Sequence, residues 1–124
     1  MKGKVVWVQF SKDADSSYKE LQKKVLLEIE QGIENSQNMQ LLKAIEREKN
    51  NIKIDPQHGI HIPRQNISKA TITRYGTDRL WKVDLVGYWR MIYTLTGDEV
   101  KIIAFVLEFM DHNKYNKVFD YRKR

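Results

Sequence analysis

The side chains best suited to chemistry in this sequence are two cations on neighbouring predicted strands. The alternation of residues 88–95 places the large apolar side chains on one face and Arg90 on the other. Lys82, on the preceding strand, is predicted to share the face of Arg90. A guanidinium stays charged and presents a planar set of donors that suits a phosphate group. Alternatively, Arg90 is a surface residue that pairs with Asp84 or Asp98.

A histidine and a tyrosine follow the last predicted strand directly, and both can move protons. His112 can titrate near neutral pH, and Tyr115 can donate or accept a proton or stack on a base. Alternatively, these residues form an exposed helix start, with Tyr115 and Phe119 packing back against the sheet.

The two other histidines, His58 and His61, lie in a predicted loop. They lack a third nearby ligand, and the chain contains no cysteine, so we expect neither a metal site nor a cofactor. The sequence also lacks a glycine-rich phosphate loop and a nucleophile elbow. Its carboxylates form no pair to which acid–base catalysis can be assigned.

Length and composition favour a single globular domain spanning residues 1–124. Hydrophobic residues make up 41% of the chain and charged residues 31%, a balance typical of folded proteins. The longest apolar run, residues 102–107, is too short to cross a membrane, which takes about 20 residues. The first residues contain no apolar signal-peptide core. We therefore expect a cytoplasmic protein without a membrane partner.

Positive charge is concentrated in the C-terminal half. The formal net charge is +6. Residues 63–124 hold twelve basic and seven acidic residues, whereas residues 11–62 hold eight basic and nine acidic ones. A basic half favours an anionic partner such as a phosphate backbone, although a charge that serves solubility alone is equally compatible with these numbers.

Hydrophobic periodicity and capping residues predict the elements of the N-terminal half. Residues 4–10 predict a strand, because they are rich in β-branched and aromatic side chains. A helix capped by Ser17, with Glu20 as its capping-box partner, is predicted to run to Ile33. After a short break, a second helix is predicted to reach about Asn50, which completes a helical hairpin.

The middle of the chain is less regular. Residues 51–63 predict a loop, because two prolines and a glycine discourage regular structure there. Residues 68–75 predict a short helix between a Ser68 cap and Gly76, although their β-branched side chains would also suit a strand.

Three strands are predicted in the last third, at residues 80–85, 89–95 and 100–109. The continuous apolar run in the third strand indicates a strand covered on both faces. Asp111 can then cap a final short helix, before a basic and mobile tail at residues 121–124. The predicted fold class is α+β: a four-stranded antiparallel sheet, made of the N-terminal strand and this three-strand meander, with the helical hairpin on one face.

Three segments of the sequence, which follow one another in a fixed order, together carry a resemblance to a known family. Residues 80–85 run into residues 87–93, which carry an arginine before an aliphatic-aliphatic-tyrosine run. Residues 111–115 place a histidine, a lysine and a tyrosine directly after the last predicted strand. With residues 62–67 ahead of the hairpin, this pattern resembles the RelE/ParE superfamily of prokaryotic type II toxins, most closely its RelE-like mRNA interferases. The resemblance covers the element order of nearly the whole chain.

The resemblance implies a microbial-RNase-like fold and a metal-independent endoribonuclease that cleaves mRNA in the ribosomal A site. The 2′-hydroxyl of the RNA attacks the adjacent phosphate, giving a 2′,3′-cyclic phosphate and a free 5′-hydroxyl. By position, Arg90 matches the arginine that stabilises the transition state, and Lys82 matches a family lysine. His112 and Tyr115 match the acid–base and stacking positions. Asp84 stands where some relatives carry a second lysine.

The resemblance also implies partners and an RNA-binding surface. The implied partners are a cognate antitoxin protein, mRNA and the ribosome. Two alternatives stay open: a ParE-like inhibitor of DNA gyrase, and a non-catalytic RNA- or protein-binding module of the same fold. The basic residues expected to contact RNA are Arg64, Lys69, Arg74, Lys114 and Lys117.

Overall fold

The computed structural model describes residues 4–119, which form five strands, four α-helices and two short 3₁₀ turns. The predicted basic tail at residues 121–124 lies outside the described residues. The elements are β1 (Val5–Phe10), α1 (Lys12–Glu30), α2 (Gln37–Ile54), β2 (Ile60–His61), α3 (Lys69–Tyr75), β3 (Trp81–Asp84), β4 (Arg90–Gly97), β5 (Lys101–Met110) and α4 (His112–Val118), with 3₁₀ turns at Arg64–Asn66 and Val86–Tyr88.

The strands form one mixed sheet in the order β1-β5-β4-β3-β2. This confirms the α+β class, but the predicted four-stranded antiparallel sheet is wrong in two respects. β1 runs parallel to β5, and β2 adds a fifth strand that pairs with β3. Alternation of side chains assigns faces but not strand direction, and a two-residue strand is too short to leave a periodic signal.

The helical hairpin differs from its prediction at both ends. Ser11, not Ser17, caps α1: its Oγ accepts from the Ala14 backbone amide at 3.0 Å and donates to the Leu107 carbonyl at 2.7 Å. Ser11 directly follows β1, so its hydroxyl reaches both the helix start and β5. Ser36 caps α2, which continues to Ile54 and shortens the predicted loop.

Both faces of the sheet are covered. Along β4, Met91 and Tyr93 pack in a core with α1 and α2, whereas Ile92 packs in a second core with α3 and α4. The alternation therefore assigned the faces of β4 correctly. Arg90, the first residue of β4, is on the same face as Ile92, where the shorter helices leave part of the sheet accessible.

The two short helices follow their predicted caps. Ser68 caps α3 through the Thr71 amide, and Gly76 ends this helix in the left-handed conformation at a φ of 75°. Asp111 caps α4 through the Lys114 amide at 2.8 Å. Because α4 starts directly after β5, its first turns lie beside the start of β4.

Candidate functional site

An open cleft of about 430 Å³ lies where β3, β4 and α4 meet the chain segment 60–66. Its volume is within the range of small-molecule binding sites. All four residues that the resemblance assigned to catalysis line this cleft: Lys82, Arg90, His112 and Tyr115.

The backbone turn before β4 holds Arg90 in position. Gly87 and Tyr88 have φ angles of 72° and 64°, so two consecutive residues are left-handed. For a bulky residue such as Tyr88 this conformation is strained. The turn directs the carbonyl of Tyr88 toward Arg90, whose Nη1 donates to it at 2.7 Å. The side chain of Arg90 is only 14% exposed, so its guanidinium is held rather than free in solvent.

Asp84 lies between the two cations. Its Oδ1 is 2.8 Å from Lys82 Nζ and 2.9 Å from Arg90 Nε. The Nε–H of Arg90 does not point along that line, so this contact is an ion pair without an aligned hydrogen bond. The surface ion pair considered for Arg90 therefore exists, and it lies beside the cleft.

Tyr115 covers both cations from α4. Its ring centroid is 5.3 Å from Arg90 Cζ and 5.7 Å from Lys82 Nζ, which are cation–π distances. Phe119, one turn further along, is buried and its ring lies 5.1 Å from that of Tyr115. The predicted packing of these aromatic residues onto the sheet is thus present, and it places Tyr115 at the site.

His112 is exposed at the first position of α4. Arg90 Nη2 lies 3.5 Å from its Nδ1, and the Asn116 side-chain amide lies 3.1 Å from its Nε2. Both contacting groups, the Arg90 guanidinium and the Asn116 Nδ2 amide, are hydrogen-bond donors. A neutral imidazole has one accepting nitrogen, so it can accept from only one of them at a time.

Tyr93, in the core on the other face of the sheet, anchors the loop that leads into β2. Its hydroxyl donates to the Pro56 carbonyl and accepts from the Gly59 amide, both at 2.9 Å. Burial raises the pKa of Tyr93 to about 12, so this hydroxyl stays protonated. A Cβ on Gly59 would lie 2.7 Å from the Lys82 carbonyl oxygen, so only glycine lets this loop approach β3 so closely.

Several of the predicted RNA-binding residues form ion pairs within the fold. Arg64 pairs with Asp78, while Arg74 and Lys114 converge on Glu108. Three of the five predicted residues therefore already have carboxylate partners. Lys69 and Lys117 are exposed on α3 and α4.

Glu108 is a buried carboxylate on the face that carries the cleft. It lies opposite Ile92, which in turn lies opposite Lys82. A register shift in β5 leaves Leu107 outside the paired positions, and both Leu107 and Glu108 contact the layer of α3 and α4. Tyr75 donates to Glu108 at 2.6 Å. Burial, followed by this hydrogen bond, raises the pKa of Tyr75.

The two loop histidines point to different partners. His58 Nε2 lies 2.8 Å from Glu48 Oε1 on α2, whereas the ring of His61 packs edge-on against Trp81. Within residues 4–119, no group of three histidine or carboxylate side chains is placed to hold a metal ion.

Sequence reasoning missed Asn66 and Asn116, which line the cleft, and Tyr88, which lies beside it. Tyr88 is 74% exposed, and its ring centroid lies 5.9 Å from that of His112. Gly87 marks the tight turn between β3 and β4, in which Leu85 and Trp89 are hydrogen-bonded across three residues, but no sequence signal marks the left-handed conformation of Tyr88. Asn66 also lines the cleft, and its Oδ1 is buried without a hydrogen-bond partner among the described residues.

A second groove, of about 280 Å³, lies between the helical hairpin and the other face of the sheet. Its lining is mainly apolar and includes Leu21, Ile45, Trp89 and Phe109. Its lining does not bring two cations together in the way that the cleft brings Lys82 and Arg90 together. The face of the sheet that carries α3 and α4 therefore holds the better candidate for a catalytic site.

Comparisons of this chain with protein-family models, curated proteins and solved structures give no match. Among residues 4–119, no helix has both the length and the apolar character needed to cross a bilayer.

Proposed function

We propose that this chain is a RelE-like toxin of a type II toxin–antitoxin system, and that it cleaves mRNA without a metal ion. The observation that carries the proposal is the convergence of Lys82, Arg90, His112 and Tyr115 in one accessible cleft. RNA cleavage by an internal 2′-hydroxyl needs a base, an acid and positive charge, and an imidazole, a phenol and two cations can supply them.

In the proposed reaction the 2′-oxygen attacks phosphorus as its proton passes to the imidazole of His112, which lies beside Arg90. The bond from phosphorus to the 5′-oxygen breaks, and Tyr115 donates a proton to that leaving oxygen. Arg90 and Lys82 stabilise the extra negative charge on the phosphorane-like transition state. The products are a 2′,3′-cyclic phosphate and a 5′-hydroxyl.

Tyr88 is proposed to hold a base next to the cleaved bond. Its exposed ring lies beside His112, and single-stranded RNA is commonly bound by stacking of bases on aromatic side chains. The strained backbone of Tyr88 also supports a functional role, because strain of this kind concentrates at sites of binding and catalysis.

The family resemblance is the basis for two further parts of the proposal: cleavage takes place in the ribosomal A site, and a cognate antitoxin neutralises the protein. An antitoxin segment with acidic or apolar side chains would neutralise the protein by covering the cleft, through helix or strand contacts.

Primer extension on a defined mRNA in a cell-free translation system tests this proposal. Wild-type protein is compared with Arg90→Ala, and with Arg79→Ala as a control of equal charge change at an exposed residue that does not line the cleft. We expect cuts by wild type and Arg79→Ala only when ribosomes translate the message. Cuts on naked RNA would replace the A-site assignment with ribosome-independent cleavage.

The absence of cuts in either condition would overturn the enzyme proposal. Inhibition of DNA gyrase by the same preparation would then favour the ParE-like alternative. A lack of both effects would favour a binding module.

A further inference from the structure

Asp84 contacts both cations of the cleft from an adjoining open pocket, which shares Arg90 with the cleft. Its Oδ1 is within 2.9 Å of a nitrogen of both Lys82 and Arg90. The side chain of Asp84 is 56% exposed, whereas those of Lys82 and Arg90 are 17% and 14% exposed. An accessible carboxylate thus sits on two cations that are largely withdrawn from solvent.

In position and distance, although without an aligned hydrogen bond to Arg90 Nε, Asp84 Oδ1 resembles a bound phosphate oxygen. Charge-assisted contacts from nitrogen to a carboxylate or phosphate oxygen have the same length, about 2.7–2.9 Å. An RNA phosphate oxygen that bridged Lys82 Nζ and Arg90 Nε would take the position that Asp84 Oδ1 holds. The two anions cannot occupy it together, because like charges at such separation repel strongly.

We propose that Asp84 is an internal counter-ion that occupies the phosphate position of the free protein and weakens its binding of RNA. This inference rests on the proposed function, since it assigns the phosphodiester backbone of RNA as the ligand of the cation pair. Asp84 ends β3 and its carboxylate faces solvent, so it can leave the cations while they remain in place. When RNA binds, a phosphate replaces the carboxylate of Asp84 on the two cations. This exchange lowers both the affinity of the protein for RNA and the dependence of that affinity on salt.

The test is binding of a fluorescent, eight-nucleotide, random-sequence 2′-O-methyl RNA, which has no free 2′-hydroxyl and therefore cannot be cleaved. Affinity is measured by anisotropy between about 50 and 200 mM salt for wild type, Asp84→Asn and Glu99→Gln. Glu99→Gln adds the same unit of positive charge at an exposed residue in the turn beyond the far end of β4. Asparagine keeps the size and the oxygen of Asp84 but removes its charge.

We expect Asp84→Asn to bind at least fivefold more tightly than wild type at 50 mM salt, with Glu99→Gln within twofold of wild type. The plot of log affinity against log salt should become steeper by about 0.7 for Asp84→Asn, because one more phosphate contact then releases a counter-ion from the RNA. Equal or weaker binding by Asp84→Asn would overturn the inference and would assign Asp84 a structural role in holding the two cations.

Arg90→Ala separates this inference from the proposed function. If Arg90→Ala binds as wild type does, the cation pair does not contact RNA and the proposed site is wrong. If Arg90→Ala loses affinity while Asp84→Asn gains none, only the role of Asp84 is wrong. Thermal melting of each variant verifies folding, and Asp84→Ser provides a second neutral variant should Asp84→Asn unfold.

Discussion

Lys114, on α4, forms an ion pair with Glu108, whose side chain is 8% exposed on β5. This pair connects the helix that carries His112 and Tyr115 to the strand beneath it. α4 has only seven residues, and an isolated helix of that length is not stable in water. The Asp111 cap, the buried Phe119 and the Lys114–Glu108 pair therefore determine where the helix lies.

Removal of the Glu108 side chain should loosen α4. Glu108→Ala leaves the hydroxyl of Tyr75 without its acceptor and Lys114 without its partner, so we expect a loss of about 1–3 kcal/mol in the free energy of unfolding. Glu108→Gln keeps an acceptor and should lose less. Urea denaturation measures both, with Glu99→Gln as an exposed control expected to stay within about 0.5 kcal/mol of wild type. Faster amide exchange in α4 of Glu108→Ala should accompany the loss, and unchanged exchange there would contradict this role.

Acid should weaken the fold through the same residue. Burial alone would raise the pKa of Glu108, but hydrogen bonds from Lys114 and Tyr75 outweigh it and hold the pKa below its ordinary value of 4.5. The ionised carboxylate therefore contributes its full stabilisation above about pH 4.5, and this contribution is lost as the pH falls through the lower pKa of the folded state. The stability difference between wild type and Glu108→Gln, measured by urea denaturation from pH 7 to pH 2.5, should shrink below pH 4.5. A difference that is constant over this range would exclude Glu108 as the titrating group.

Replacement of Arg90 should abolish cleavage but not folding. Loss of a group that stabilises transition-state charge typically costs about 10²–10³ in rate. Arg90→Lys should recover little, because an ammonium cannot reach Tyr88 and His112 together as the planar guanidinium does. Single-turnover cleavage and growth arrest on expression are the measurements, with Arg79→Ala as the matched control. Cleavage by Arg90→Ala at the rate of the control would remove Arg90 from the proposed mechanism.

Tyr88 should show opposite effects on stability and on RNA binding. Tyr88→Gly relieves a left-handed conformation that costs a bulky residue about 1–2 kcal/mol, although glycine loses part of this gain through its greater freedom in the unfolded chain. We expect unchanged or slightly higher stability in urea denaturation. RNA affinity should fall by about 1–3 kcal/mol, the usual contribution of a stacked base, whereas Tyr88→Phe should retain most of it. Equal affinities for the glycine and phenylalanine variants would exclude stacking.

The cleavage products should carry the signature of 2′-hydroxyl attack. The downstream fragment should accept a labelled phosphate from polynucleotide kinase without phosphatase treatment, since its 5′ end is a hydroxyl. A message with a single 2′-deoxynucleotide at the mapped position should resist cleavage there while other sites are still cut. Cleavage of that position, or a 5′-phosphate end, would indicate water as the nucleophile.

Local patterns predicted the position of the site better than they predicted its surroundings. The alternation along β4 assigned the face of Arg90, because each face of that strand packs against a different layer. The caps Ser68 and Asp111 were found because a capping side chain acts within three residues of its own position. These signals are local, whereas Arg90 and His112 are brought together by the antiparallel pairing of β4 with β5, which sets Arg90 opposite Met110.

Features that depend on distant contacts were missed. Ser11 caps α1 instead of Ser17, because its hydroxyl also bonds to β5, far along the chain. The ion pairs of Arg74 and Lys114 arise from a register shift in β5, which no periodicity marks. The predicted RNA-binding surface therefore counted charges that the fold neutralises.

The parallel pairing of β1 with β5 has a consequence for how the chain folds. Ser11 and Leu107, which are hydrogen-bonded at the end of this pairing, are 96 residues apart. Contacts of such long range are slow to form, because a large loop has to close first. During synthesis β1 has no partner until β5 has been made, and α4 with His112 follows later still. The cleft can therefore be completed only after β5 and α4 have been synthesised, long after the chain has made β1 and the helical hairpin.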